Sequence, residues 1–126
     1  MPPGESRCPE ARKTVRAPDG LYNQETPLSA TADHIEAGRR LYHEEAKPMA
    51  CKLCHGDKGD GMGPLAQGMM PMPRNFTCSE TMKEIPDGQL FWVIKNGSPG
   101  TGMPAFGTLS DQEIWRLILY VRQFAK

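Results

Sequence analysis

Cys51, Cys54 and the adjoining His55 are the residues of this chain whose types and spacing most plainly suggest chemistry. Two residues between the cysteines put their sulfurs about one helical turn apart. That separation matches the two vinyl groups of a porphyrin, and the next residue brings an imidazole under the ring. Cys-x-x-Cys-His is the attachment signal for c-type haem, in which each thiol adds to one vinyl and the imidazole binds iron. The same short string can also arise by chance, hold zinc or act as a redox dithiol. Zinc would need two more ligands, and His34, His43 and Cys78 form no second paired knuckle. A thioredoxin-like dithiol would need a βαβ context that the flanking sequence lacks. Cys8 and Cys78 stand apart from the pair.

The elements that must position these groups read as helices joined by long loops. Residues 1–28 are polar and punctuated by proline, which predicts an irregular N-terminal arm, and residues 29–126 form the one domain that a 126-residue chain can support. Thr31 is placed to cap a helix carrying Ile35, Gly38, Leu41 and Tyr42 on one face, which must stop before Pro48. A second short helix is expected from Asp87 to Lys95, ended by Asn96-Gly97. The last helix has the clearest local signal: Ser110-Asp111-Gln112-Glu113 is a capping box, followed by an apolar face of Ile114, Leu117, Ile118, Val121 and Phe124, with Trp115 and Tyr120 at its margins. Between these lie the glycine-rich stretch from His55 to Pro64, the methionine-rich stretch from Gln67 to Thr77, and the loop from Ser98 to Pro104. No strand pattern emerges, so the fold class is all-α.

Composition constrains the partners and the core. Fifteen Lys and Arg balance fifteen Asp and Glu, so no net charge points to a nucleic acid. No apolar run approaches the roughly 20 residues of a membrane span, and the start MPPGESRCPE is not that of a signal peptide. With 38% hydrophobic residues against 13 Gly and 12 Pro, the chain has thin material for a core. Loops of this length call for a large object in place of the missing side chains. A haem is such an object.

Several further segments agree with one another. Gly38 and Tyr42 on the first helix can face Leu117 and Tyr120 on the last; Gly63-Pro64-Leu65 follows the glycine-rich loop; Gly102-Met103-Pro104-Ala105-Phe106 precedes the last helix. With Cys51-Lys52-Leu53-Cys54-His55, these make residues from about Thr31 to Lys126 resemble a class I c-type cytochrome of the monohaem, His/Met-ligated, bacterial periplasmic type. The resemblance implies a cytochrome c fold, three to four short helices wrapped around one covalently bound haem c. It implies that His55 is the proximal ligand, that the Pro64 carbonyl accepts the imidazole N–H, and that Met103 is the sixth ligand. The residues support Met103 independently, because of eight methionines it alone sits in a rigid Gly/Pro frame anchored by a capped helix. Met62, Met69, Met70 and Met72 belong to the loop on the proximal side, Met49 and Met82 read as core filler, and His34 and His43 read as surface residues.

Two features depart from the family pattern: the N-terminal arm, and extra residues between Tyr42 and Cys51 that predict a bulge. Cys8 is expected to pair with Cys78, since haem c is attached in an extracytoplasmic compartment where leftover thiols oxidise. Arg74, Asn75, Trp92 and Asn96 are candidate donors to the haem propionates. Iron ligated by His55 and Met103 has no open position, so the expected activity is one-electron transfer between Fe(II) and Fe(III) and not catalysis. The alternative is a haem c subunit or dedicated redox partner of a larger periplasmic oxidoreductase. Expected partners are other redox proteins docking transiently at the exposed haem edge, framed by the Met62–Met72 segment. The chain is expected to be monomeric or weakly self-associating and to act in the periplasm, without a nucleic acid or membrane span.

Overall fold

The computed structural model describes residue 8 and residues 15–69, 73–98 and 101–125, all helix, turn and loop, with no strand among them. Among the described residues there are six α-helices: α1 (Asp19–Tyr22), α2 (Ala32–Arg40), α3 (Lys52–His55), α4 (Ser79–Met82), α5 (Asp87–Asn96) and α6 (Asp111–Val121). A π-helical turn, Leu41–Glu45, extends α2, and a 3₁₀ turn, Arg122–Phe124, extends α6. The expectations for Met70 and Met72 fall outside the described residues.

The cap signals form as the sequence predicts. Thr31 Oγ1 accepts the His34 N–H at 3.2 Å to start α2. At α6, Ser110 Oγ accepts the Glu113 N–H at 3.1 Å while the Glu113 carboxylate accepts the Ser110 N–H at 2.8 Å. Each bond satisfies one of the donors that a helix start leaves orphaned. Gly97, at φ 80°, ends α5 in a conformation that side chains rarely adopt.

The long axis of the packing is the crossing of α2 on α6. A Cβ at Gly38 would overlap the Arg116 carbonyl oxygen and lie 2.9 Å from Tyr120 Cβ, so the two backbones touch where only glycine fits. Beside this point Tyr42 is fully buried, its ring 5.5 Å from Tyr120 and 5.2 Å from Phe124. Its hydroxyl donates to the Gly56 carbonyl at 2.7 Å. One side chain thus ties the crossing to the loop that follows His55. The other half of the core joins α5 to α6, with Phe91 against Trp115 at 4.4 Å between ring centroids. Trp115 is therefore core and not marginal as its position on the helical wheel suggests.

Three local features refine or revise the sequence expectation. The first helix widens at Leu41–Glu45, where the Ala46 N–H reaches back to the Leu41 carbonyl at 3.1 Å, and only then turns extended ahead of Pro48. This wide turn is the expected bulge in structural form. Ser79–Met82 adds a short helix over fully buried Met82. The arm is not wholly irregular: α1 forms within it and packs on α5, and Cys8 is disulfide-bonded to Cys78 with Cα atoms 5.4 Å apart.

Candidate functional site

The turn carrying Cys51, Cys54 and His55 is held by its own backbone and by the loop that follows. The Cys54 and His55 N–H groups donate to the Cys51 carbonyl at 3.2 and 2.9 Å, which makes one helical turn and sets the two thiols one turn apart. Gly56, at φ 88°, then reverses the chain. The loop returns beneath α3, where the Gly61, Gly63 and Leu65 N–H groups donate to the His55, Cys54 and Leu53 carbonyls at 2.8, 2.9 and 2.7 Å. These carbonyls are the orphaned acceptors of the helix end. Gly63 is required here, since a Cβ would meet the Lys52 and Leu53 carbonyl oxygens.

That use of the Gly63-Pro64-Leu65 segment corrects the reading of Pro64. Its neighbours' N–H groups close α3 from below, whereas His55 Nδ1 lies 3.1 Å from the carbonyl oxygen of Arg74. A carbonyl only accepts, so Nδ1 carries the proton and Nε2 keeps its lone pair. The His55 ring also stacks on Phe76, with centroids 4.4 Å apart and planes at 21°. Orientation and tautomer are thus both set by the Arg74–Phe76 segment. The sequence gives no periodic signal for this, because the segment is loop.

His55 opens onto a cavity of about 380 Å³, within the range of small-molecule and cofactor sites. Cys51, Cys54, His55, Arg74 and Met103 all line it. Its apolar walls come from Leu90, Val93 and Ile94 of α5 and from Leu117, Ile118 and Val121 of α6. Burial pushes the Cys51 thiol up to about 12 and raises that of Cys54. A redox dithiol works through a lowered thiol pKa, so this environment opposes that rival. The zinc rival fares no better, since among the described residues no three His, Cys, Asp or Glu side chains gather as metal ligands.

Met103 is framed from several sides. Its N–H donates to Thr101 Oγ1 at 3.1 Å, its carbonyl accepts the Ser98 N–H at 3.4 Å, and Phe106 N–H donates to the Ile94 carbonyl at 2.9 Å, lacing the loop to the end of α5. Gly97 lets this loop lie close: a Cβ there would be 3.1 Å from the Met103 carbonyl oxygen. Met69, further along the methionine-rich loop that begins on the proximal side, also lines the cavity, with its methyl group against Gly102. Met62 itself is 36% exposed and neighbours exposed Leu65.

The expected propionate donors are redistributed. Trp92 does not line the cavity, because α5 turns Gln89, Leu90, Val93 and Ile94 toward it, so the assignment of Trp92 is corrected. Asn75 Oδ1 accepts from the Thr77 N–H and hydroxyl at 3.0 and 2.6 Å, and Asn96 Nδ2 donates to the Trp92 carbonyl at 3.0 Å. Arg74 remains on the cavity, joined by Gln89 and by Arg16 and Tyr22 of the arm. These last three were missed; the detectable hint was Gln89, a polar residue between Gly88 and the apolar stripe of α5. His43 is also corrected: it is half-buried rather than solvent-facing and packs at the α2/α6 crossing, its Nε2 2.8 Å from the Tyr120 hydroxyl, and desolvation holds its pKa below the ordinary histidine value. His34 stays peripheral, its Nδ1 2.9 Å from the Ser29 carbonyl.

The half-buried thiols, the oriented imidazole and the framed thioether around one apolar cavity fit a haem attached through Cys51 and Cys54. Comparison with known proteins agrees. A model of the family described as cytochrome c oxidase, cbb3-type, subunit III, matches residues 33–121. Among solved structures, the chain is similar to a chain of the Kuenenia stuttgartiensis reducing HAO-like protein complex Kustc0457/Kustc0458. The identity is 31% and the TM-score 0.65, over 79% of this chain and 47% of that one, so this chain spans about half of that relative's length. It is also similar to the c-type cytochrome SorU from Sinorhizobium meliloti, at 25% identity and a TM-score of 0.54, over 76% of this chain and 99% of that one. No curated protein matches.

Proposed function

Since the chain belongs to the family of cbb3-type cytochrome c oxidase subunit III, a c-type cytochrome domain, we propose that it carries single electrons on one haem c bound through Cys51, Cys54, His55 and Met103. The observation that carries this reading is that all four residues line one cavity, with His55 Nδ1 held 3.1 Å from the Arg74 carbonyl oxygen. When bound there, the haem supplies an iron that alternates between Fe(II) and Fe(III).

This chain's residues do the rest. Cys51 and Cys54 supply the two thiols for covalent attachment. Arg74 holds the proton of His55 Nδ1 through its carbonyl, which makes Nε2 a stronger donor. The Met103 thioether, a soft and neutral donor, favours Fe(II) over Fe(III), and the apolar walls from α5 and α6 act in the same direction by disfavouring added charge. His55 and Met103 would both hold the iron and leave no position on it for a substrate, so the role is electron transfer and not catalysis. Exposed Met62 and Leu65, on the loop beside α3, offer a soft apolar surface for brief docking of other redox proteins. The Cys8–Cys78 disulfide supports an oxidising compartment, the bacterial periplasm. No described helix is long and apolar enough to cross a membrane.

The second reading is a haem c subunit or dedicated redox partner of a larger oxidoreductase. It is favoured by the similarity to part of a chain from a multi-protein complex. Size-exclusion chromatography of the native protein separates the two: a monomer or weak self-associating species supports the free carrier, and a stable hetero-complex supports the subunit. The haem assignment itself is tested by Cys51→Ala with Cys54→Ala, which must abolish covalent haem under denaturing electrophoresis.

A further inference from the structure

The described part of the arm places a cation and a phenol on the cavity. Arg16 and Tyr22 both line it, with the Arg16 guanidinium 3.6 Å from the centre of the Tyr22 ring. Both lie outside residues 33–121, the part of the chain that matches the family.

Their position is tightly specified. The N–H of Ala17, itself 3% exposed, donates to Gln89 Oε1 at 2.7 Å, and Gln89 Nε2 donates to the Val15 carbonyl at 2.9 Å. One cavity-lining side chain therefore grips the backbone on both sides of Arg16. The Leu21 carbonyl rests on Gly88, where a Cβ would collide with it. Thr26 N–H donates to Asp87 Oδ2 at 3.0 Å, and the Cys8–Cys78 disulfide fastens the arm again.

The guanidinium keeps capacity for an anion. Its ion pair with Asp19 of α1 spans 3.5 Å between side chains 56% and 88% exposed, and such surface pairs contribute little. Among the described residues, the other charged or titratable side chains lining the cavity are Tyr22, Tyr42, Cys51, Cys54, His55, Arg74 and Glu84, of which only Glu84 brings a carboxylate that would repel another. A haem brings two carboxylates, and partly burying them requires charged donors. Trp92 is not placed to help.

We propose that Arg16, steadied on the Tyr22 ring, binds a haem propionate, so that the arm is part of the cofactor site and tunes its potential. This rests on the haem-binding reading above. Arg16 acts in two ways: its positive charge disfavours Fe(III), and it keeps the propionate ionised. Tyr22 and Gln89 are positioning residues.

The test is the midpoint potential of the mature holoprotein between about pH 5 and about pH 9, for the wild type, Arg16→Gln and Arg16→Lys. Loss of one charge at roughly 10 Å in a medium of effective dielectric about 20 corresponds to about a fifteenfold weaker preference for Fe(II), or about 70 mV for a one-electron couple. Arg16→Gln is therefore expected to lower the potential by about that amount at neutral pH. It should also add a segment in which the potential rises as pH falls, where the unpaired propionate takes up a proton. Arg16→Lys is expected to recover most of the lost potential. A wild-type potential and pH profile in Arg16→Gln would overturn the proposal, even if the variant unfolds more easily, because a merely structural Arg16 changes stability alone. A preparation with no covalent haem would instead defeat the reading on which the proposal rests.

Discussion

Replacing Gly38 with alanine tests whether the crossing of α2 on α6 holds the cavity walls in place. The added Cβ would overlap the Arg116 carbonyl oxygen, lie 2.8 Å from the Arg116 carbonyl carbon and 2.9 Å from Tyr120 Cβ. None of these is the flexible end of a side chain, so relief requires the helices to separate by about 1 Å to bring the carbonyl oxygen to ordinary contact. Overpacking of this kind costs about 1–3 kcal/mol, at the upper end when backbone is the obstacle. Better helix propensity returns about 1 kcal/mol. The net loss is about 2 kcal/mol, equivalent to a fall in Tm of roughly 8 °C for a domain of this size. Thermal and urea unfolding of the holoprotein measure it, with Gly20→Ala as control, since nothing lies within 4 Å of a Cβ there. A Gly38→Ala protein as stable as the wild type would refute the close-contact argument. A Gly20→Ala protein destabilised equally would refute its specificity.

Met103→Ala is expected to keep the covalent haem while lowering the potential by about a hundredfold in Fe(II) preference, about 120 mV, and to admit carbon monoxide to the reduced iron without denaturant; redox titration and gas binding read both. Arg122 donates to the Met82 and Ile85 carbonyls at 2.7 and 2.6 Å and to Asp87 at 2.7 Å, so Arg122→Met leaves these acceptors bare and should cost about 3 kcal/mol in urea unfolding. Cys8→Ser with Cys78→Ser opens a 70-residue closure and should lose about 4 kcal/mol on the chain-entropy model, with the spectrum of the haem retained. Desolvation depresses the pKa of His43, so the unfolded chain binds more protons than the folded one once pH falls below about 6.5. Stability should therefore decline from neutral pH toward pH 5, and unfolding midpoints of His43→Gln should lose that part of the decline.

What the sequence disclosed and what it hid follow from the range of the interactions involved. The α6 capping box, the Thr31 cap and the Gly97 stop depend on residues within a few positions, and each forms where its local pattern puts it. The Cys51–His55 turn is equally local, and the Gly38 contact was open to inference because only glycine suits a close crossing. The failures are long-range. The partner of His55 Nδ1 is a backbone carbonyl, which has no residue type to reveal it, so Arg74 and not Pro64 supplies it. Trp92 has the right chemistry for a carboxylate, but the rotation of α5 is set by packing on α6 and presents Gln89 instead. The arm's polar, proline-rich composition conceals its docking, which works through hydrogen bonds to one glutamine and a bare glycine rather than an apolar stripe. His43 reads as surface beside two glutamates, yet the widened turn at Leu41–Glu45 brings it against Tyr120.

The visible absorption spectrum of the protein matured in an oxidising, haem-attaching host tests the central claim most directly. The account predicts a covalent c-type haem spectrum that shifts reversibly between two oxidation states, with a weak thioether-to-Fe(III) band in the red that Met103→Ala removes. A colourless folded protein, or a red band unchanged in Met103→Ala, would contradict it.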